Sequence, residues 1–205
     1  MSNNLLSKFG LELNVGVVGA SGGLGQAFVE QFASQLHVAK IHAFSRTQIK
    51  FENEKVESHQ IDIQSEHSIQ EALDAIGDTI LFDIVVVATG FLHDEHVSPE
   101  KTIRDVNMDY FREVFSVNTY GPALLAKYFL PRLQRDRKSV FACLSARVGS
   151  ISDNRLGGWY AYRASKAALN MILKNAAIEM ARRYKKDCII GLHPGTVDTT
   201  LSQPF

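Results

Sequence analysis

Apolar residues gather in runs of strand length at 14–18, 38–44, 84–88, 140–144 and 188–192, with a shorter candidate at 55–61. Between them the apolar positions recur at helical spacing, most clearly over 26–36, 69–76, 102–117, 123–134 and 161–184. The run Val85-Val86-Val87 is continuous rather than alternating, as expected of a strand covered by helices on both faces of a parallel sheet. Strand and helix alternate along the chain, which predicts a doubly wound α/β fold. Pro122 follows Gly121 and suits a first helical turn, whereas Pro131 is expected to bend or end its helix. No repeat, low-complexity tract or linker interrupts the pattern, so residues 1–205 read as one domain.

Charge narrows the partners. Lysine plus arginine (22) equals aspartate plus glutamate (22), so no net field draws the chain to nucleic acid or to an anionic membrane. A small molecule is the expected partner. The first 13 residues lack the continuous apolar core of a secretory signal, and no apolar run reaches the length of a membrane span. The expected location is cytoplasmic. Cys143 and Cys188 fall inside apolar runs and read as small core residues rather than a disulfide.

The first strand leads directly into Val18-Gly19-Ala20-Ser21-Gly22-Gly23-Leu24-Gly25 and then a helix. A strand-to-helix turn aimed at a pyrophosphate needs backbone freedom, a position with no side chain beneath the phosphates, and close packing of helix on strand. Gly19, Gly23 and Gly25 can supply these; a tight turn without ligand is the plainer account of the same glycines. Their spacing, Gly-x3-Gly-x-Gly, departs from the common Gly-x-Gly-x2-Gly fingerprint. The second strand ends in Ala43-Phe44-Ser45-Arg46, with no acidic residue to receive a ribose 2′-hydroxyl. Ser45 and Arg46 instead offer donors to a 2′-phosphate, favouring NADP over NAD, although Arg46 also fits a solvated loop cation.

Tyr162 and Lys166 stand four residues apart in a helical segment and share one face. A phenol is a poor base at neutral pH, but a neighbouring ammonium favours phenolate and brings the pKa towards the working range. Tyr160 is the rival, with only Ala164 at that spacing. Any single Tyr-x3-Lys is more often a surface pair. Ser145 follows the 140–144 strand, where ligands of such sheets bind, and its hydroxyl can donate to an oxygen gaining negative charge. Asn118 reads most simply as a helix-end residue.

Taken together, Gly19-x3-Gly23-Leu24-Gly25, Asn118, Ser145, Tyr162-x3-Lys166 and Pro194-Gly195 resemble the short-chain dehydrogenase/reductases, in that family's order and over nearly the whole chain. The long interval from Ser145 to Tyr162, with His193-Pro194-Gly195-Thr196-Val197-Asp198-Thr199, is most similar to the C-factor-like and sniffer-like carbonyl reductase branch. The resemblance implies a Rossmann fold and a homodimer or homotetramer. It implies that Tyr162 donates a proton to a carbonyl oxygen while hydride arrives from the nicotinamide. Lys166 would hold the nicotinamide ribose and lower the Tyr162 pKa, Ser145 would orient the carbonyl, and Asn118 would hold a water. Further implied cofactor contacts are Ser21 and Leu24 in the loop, Asp62 near the adenine, Ala88, Thr89 and Gly90 along the cofactor, and Pro194, Gly195, Val197 and Thr199 near the carboxamide.

Two departures stand beside it. Val87-Ala88-Thr89-Gly90 replaces the Asn-Asn-Ala-Gly of many members, keeping the glycine, and the sequence stops at Phe205, before the substrate-covering segment, helix and edge strand that relatives carry. Either further residues follow Phe205 or the chain is truncated here; a truncation would leave a sheet without its usual last edge strand and an open substrate site. The leading reading is a carbonyl reductase or alcohol dehydrogenase; the alternative is a non-catalytic NAD(P)-binding signalling protein of the same fold. A metal site at His93-x2-His96, flanking Asp94 and Glu95, lacks obvious further ligands, so no metal is expected.

Overall fold

The computed structural model describes residues 6–195 and residue 197. Among these residues, six parallel strands form one sheet in the order β3-β2-β1-β4-β5-β6. They are β1 (Leu13–Val18), β2 (Val38–Ser45), β3 (Val56–Gln60), β4 (Ile84–Val87), β5 (Ser139–Leu144) and β6 (Asp187–Leu192). The helices between them are α1 (Gly23–Ala33), α2 (Glu66–Ile76), α3 (Met108–Phe115), α4 (Gly121–Phe129) and α5 (Tyr160–Ala181). The strand order reverses between β1 and β4, which opens a crevice at the carboxyl edge where such sheets bind ligands.

Each strand sends alternate side chains to opposite faces, and both faces are covered. Val15, Val17, Ile41, Ala43, Ile84 and Val86 pack with Val29 of α1. Val18, Phe44, Val85, Val87, Phe141 and Cys143 pack with Ile69 and Leu73 of α2, Leu125 and Phe129 of α4, and Leu169 and Leu173 of α5. Phe129 is wholly buried, its ring 5.5 Å from Phe44 and 5.4 Å from Phe82. Truncating a ring in such a place costs about 3–5 kcal/mol. At the opposite, amino edge of the sheet the buried carboxylate of Asp83 receives Arg137 Nε at 2.5 Å and the Asn14 amide at 2.9 Å, tying β1 to β4.

Helix boundaries differ from expectation where polar side chains intervene. The segment 102–117 begins as a 3-10 turn, Ile103–Asp105, closed by a reciprocal Thr102–Asp105 capping box. The α-helix starts only at Met108, where Asn107 accepts hydrogen bonds from the Asp109 and Tyr110 amides. Ser116–Tyr120 then forms a π-helical turn. Pro122 lies in the first turn of α4, and Pro131 falls in the 3-10 turn Leu130–Arg132 that ends it. Cys143 is buried as expected, but Cys188 is exposed on β6, and both are free thiols. Burial pushes the Cys143 thiol up to about 12.

Candidate active site at the carboxyl edge of the sheet

The glycine loop is held by backbone contacts. The Gly19 and Ala20 amides both donate to the Phe44 carbonyl, at 2.9 and 3.0 Å, so the end of β2 fixes the loop leaving β1. Gly19 has φ +87°, a conformation that glycine adopts without strain. A Cβ there would lie 2.9 Å from Thr89 Cγ2 and 3.0 Å from the Ala88 carbonyl carbon. At Gly25 a Cβ would lie 2.0 Å from the Gly19 oxygen, so only glycine permits α1 to pack this close to the loop. Gly23 is the first residue of α1; its N-cap, Gly22, carries no side chain to accept the free amides, and no acidic residue occupies the first turn. The result is an uncapped helix N-terminus, with its partial positive charge, at the sheet's crevice.

Other expected cofactor residues surround this loop with varying fit. Ala88, Thr89 and Gly90 follow β4, and Thr89 Oγ1 is buried without a hydrogen-bond partner. Arg46 is exposed at the end of β2. Ser45 is buried, and its hydroxyl donates to the Thr47 carbonyl at 2.5 Å, which spends the proton that the sequence offered to a phosphate. Asp62 is exposed just past β3 and accepts from the Gln64 amide. Pro194 and Gly195 are exposed beyond β6, Val197 is half-buried, and Thr199 lies outside the described residues.

The four expected reactive residues lie in the π-helical turn before α4, at the end of β5 and in the first two turns of α5. Asn118 sits in the π-helical turn, fully buried, and the helix-end reading gives way to a bridging one. Its Oδ1 accepts from the Phe91 amide at 2.8 Å, while Nδ2 donates to the Phe91 carbonyl at 2.7 Å and to Ser165 Oγ at 3.3 Å. Ser165 in turn donates to the Tyr162 carbonyl at 2.8 Å. Asn118 therefore ties the segment after β4 to Ser165, in the second turn of α5. A π-turn places the side chain where a regular helix would not, and such turns concentrate at functional sites.

Lys166 Nζ donates to the Leu144 carbonyl at 2.9 Å, anchoring α5 to the end of β5, and Gly149 leaves room for that approach because a Cβ would lie 2.9 Å from Lys166 Cβ. Burial brings the Lys166 ammonium down to about 8. Ser145, next along from Leu144, donates to Asn170 Oδ1 at 2.7 Å. Tyr162 is buried in an apolar group with Leu92, Tyr110, Val114 and Ala161, bordered by Phe91 and Trp159. Burial raises the phenol pKa above its ordinary value. This corrects the expectation that Lys166 draws it down: Nζ is 5.8 Å from the ring centre and its bond goes to Leu144. Desolvation of the phenolate wins, and the phenol keeps its proton.

Two residues that sequence reasoning missed complete the region. Glu100 is buried, and its carboxyl oxygens each lie 3.2 Å from the Ala161 amide in the first turn of α5. Its own carbonyl accepts from the Trp159 amide at 2.6 Å. Trp159 occupies the N-cap in a left-handed conformation, φ 52° and ψ 46°, and supplies no side-chain cap. The second is Asn170, exposed on α5 yet bonded to Ser145. In a sequence, Glu100 looks like part of a polar loop and Asn170 like a solvated helix residue.

Among the described residues, His93, Asp94, Glu95 and His96 form no group of three metal-type ligands, and Asp94 turns back to accept the His96 and Val97 amides. The group that does form is His42, Glu57 and His59 on the β2–β3 edge, where the two imidazoles meet at 3.0 Å, a hydrogen-bond distance. Among the described residues no helix is long and apolar enough to cross a membrane.

A parallel sheet in this order, with a glycine turn after its first strand, defines a doubly wound protein of the Rossmann type. Residues 14–205 match the family model described as short chain dehydrogenase, and the chain belongs to that family. Benzil reductase, (S)-benzoin forming, of Bacillus subtilis is 28% identical over 187 residues, covering 90% of this chain and 74% of the relative. C-signal of Myxococcus xanthus is 35% identical over 100 residues, or 49% of this chain and 59% of the relative. The same fold is found in the NADPH-bound carbonyl reductase from chicken fatty liver, with TM-score 0.80 and 24% identity over 95% of this chain and 80% of that one. Carbonyl reductase Sniffer of D. melanogaster gives 0.79 and 20% identity, covering 94% and 84%.

Proposed function

We propose that the protein transfers hydride between NADP(H) and a small, fairly apolar carbonyl or alcohol, with Tyr162 as proton donor. The observation that carries this is the placing of Tyr162, a buried phenol among apolar side chains at the start of α5, one helical turn before Lys166 on the same face. Ser145 lies at the end of β5, where it can steady the same oxygen. Lys166 and Asn118 hold α5 in register with β5 and with the segment after β4.

The residues present fit a dinucleotide. Gly19 and Gly25 let the loop pack tightly against Ala88, Thr89 and α1, the amides opening α1 have no side-chain cap, and Thr89 Oγ1 is a buried hydroxyl without a partner beside Gly19. When bound, the nicotinamide supplies or accepts the hydride. Arg46 would receive a 2′-phosphate, with no acidic residue at the end of β2 to oppose it. The aromatic and aliphatic surroundings of Tyr162 favour ketones, aldehydes or diketones over charged sugars or acids.

A carbonyl panel with NADPH and NADH, followed by cofactor absorbance, tests this. Turnover is expected with NADPH preferred, and Tyr162→Phe should lower kcat by roughly 10²–10⁴-fold while leaving cofactor binding intact. Turnover that survives Tyr162→Phe, or none with any carbonyl, overturns the reading. The likeness to C-signal gives a second reading its footing, a non-catalytic NAD(P)-binding signalling protein. Tight cofactor binding without tyrosine-dependent turnover is its signature.

A further inference from the structure

We propose that Asn170 is a positioning residue that decides where the Ser145 hydroxyl points its proton, an inference that rests on the chemistry assigned above to Tyr162. Asn170 stands four residues after Lys166 and eight after Tyr162, so the three share one face of α5. Its side chain crosses to the end of β5, where Oδ1 accepts the Ser145 hydroxyl at 2.7 Å. The third neighbour is Gly191 on β6. A Cβ there would lie 3.3 Å from Asn170 Oδ1 and 3.4 Å from Ser145 Cβ, so the missing side chain keeps the contact uncrowded.

The arrangement has a chemical consequence. With Oδ1 as acceptor, the only proton of the Ser145 hydroxyl is spent on Asn170 and cannot be given to a substrate oxygen. A carboxamide, however, carries an acceptor and a donor on the same planar group. Turned about its last side-chain bond, Asn170 presents Nδ2, donates to Ser145 Oγ and frees the hydroxyl proton for the carbonyl. A chain of donors directed at that oxygen is also stronger than one hydroxyl acting alone. Because Asn170 is exposed, whichever end of the amide turns away from Ser145 meets water, and the reversal strands no polar atom. Asparagine is a weak helix former, so an aliphatic or longer polar residue would suit this exposed turn of α5 better if folding alone chose it.

The distinguishing variant is Asn170→Asp in the full chain. An ionised carboxylate can only accept, so it pins the Ser145 proton away from the substrate; a protonated one can donate again. At neutral pH kcat should fall by roughly 10²-fold or more, as for the loss of one directed donor. Cofactor affinity and melting temperature should stay near those of the unaltered protein. Over a pH series the loss should be regained as the carboxyl takes up its proton. Asn170→Ala should cost less and show no such recovery on the acid side.

A neutral-pH kcat for Asn170→Asp within about twofold of the unaltered protein overturns the proposal, as does a loss without acid recovery, the mark of a merely structural role. Tyr162→Phe measured alongside separates the two levels. If that variant abolishes turnover while Asn170→Asp leaves it unchanged, the proton-donor reading stands and the role of Asn170 falls. If turnover is absent or indifferent to Tyr162, both fall together.

Discussion

Two helices begin at the same edge of the sheet, and their N-termini are finished in opposite ways. That of α1 is left open: Gly22 offers no side chain, and no acidic residue lies in the first turn. That of α5 is closed by a group from far along the chain, the Glu100 carboxyl at 3.2 Å from the Ala161 amide. Each helix start has unsatisfied amides and a partial positive charge. An open one in a crevice is ready for a ligand's phosphate, whereas a filled one is part of the framework. Under the proposed function the difference divides the work: α1 presents backbone to a ligand, and α5 presents side chains whose position must not change.

Closing the open end should have the largest effect. Gly22 has φ −80° and ψ 159°, allowed for any residue, and a Cβ would make only ordinary contact, 3.5 Å from the Gly19 oxygen. Gly22→Asp therefore introduces a favourable cap without a clash, and cap and dipole together should leave the fold as stable as before or better by up to about 1 kcal/mol. The same carboxylate would occupy the amides and repel a pyrophosphate. NADPH affinity should drop roughly a hundredfold, or about 3 kcal/mol, by fluorescence titration. Unchanged affinity would mean that α1 is not the phosphate site.

Opening the closed end is the next step down. Glu100→Ala leaves the buried Ala161 amide without its acceptor and should destabilise the protein by about 2 kcal/mol in denaturant titrations. Glu100→Gln keeps a carbonyl acceptor and should lose less than about 1 kcal/mol, the charge–dipole part alone. Because α5 carries Tyr162 in that first turn, kcat should fall in the same order as stability. Equal losses in the two variants would show that the negative charge at the start of α5, not the accepted hydrogen bond or the packing of the side chain, is what Glu100 contributes.

The same contrast explains what could be read from the sequence. The open end is made by local rules: a strand, a turn of glycines and a helix, each fixed by backbone sterics within a few residues. Continuous apolar β4 likewise announced its two covered faces. The closed end depends on pairs 61 residues apart for Glu100 and Ala161, and 27 apart for Asn118 and Phe91, which no local pattern encodes. Tyr162 and Lys166 were legible through their spacing, but the direction of the Tyr162 shift was not, because spacing is silent on burial. The late start of α3 follows from Asn107, a cap that competes with the apolar periodicity running through it.

The smallest expected effect concerns the charge that α5 carries beneath the site. Lys166 is almost wholly buried, and burial lowers its pKa from 10.5 to about 8. Between those values the unfolded chain binds more protons than the folded one, so stability should rise as pH climbs through that window. Below about 8 both states hold the proton and the full cost of the buried ammonium remains, on the order of 3 kcal/mol. Lys166→Met removes that cost but leaves the Leu144 carbonyl without its donor, a loss of about 2 kcal/mol. The net expectation at pH 7 is a variant more stable by about 1 kcal/mol and without turnover, its advantage shrinking as the pH approaches that of a free lysine. Urea midpoints at neutral and alkaline pH measure this directly. A destabilised variant at both would mean that the Lys166–Leu144 bond holds α5 against β5 more strongly than the buried charge strains it, placing Lys166 with Glu100 in the framework as well as in the chemistry.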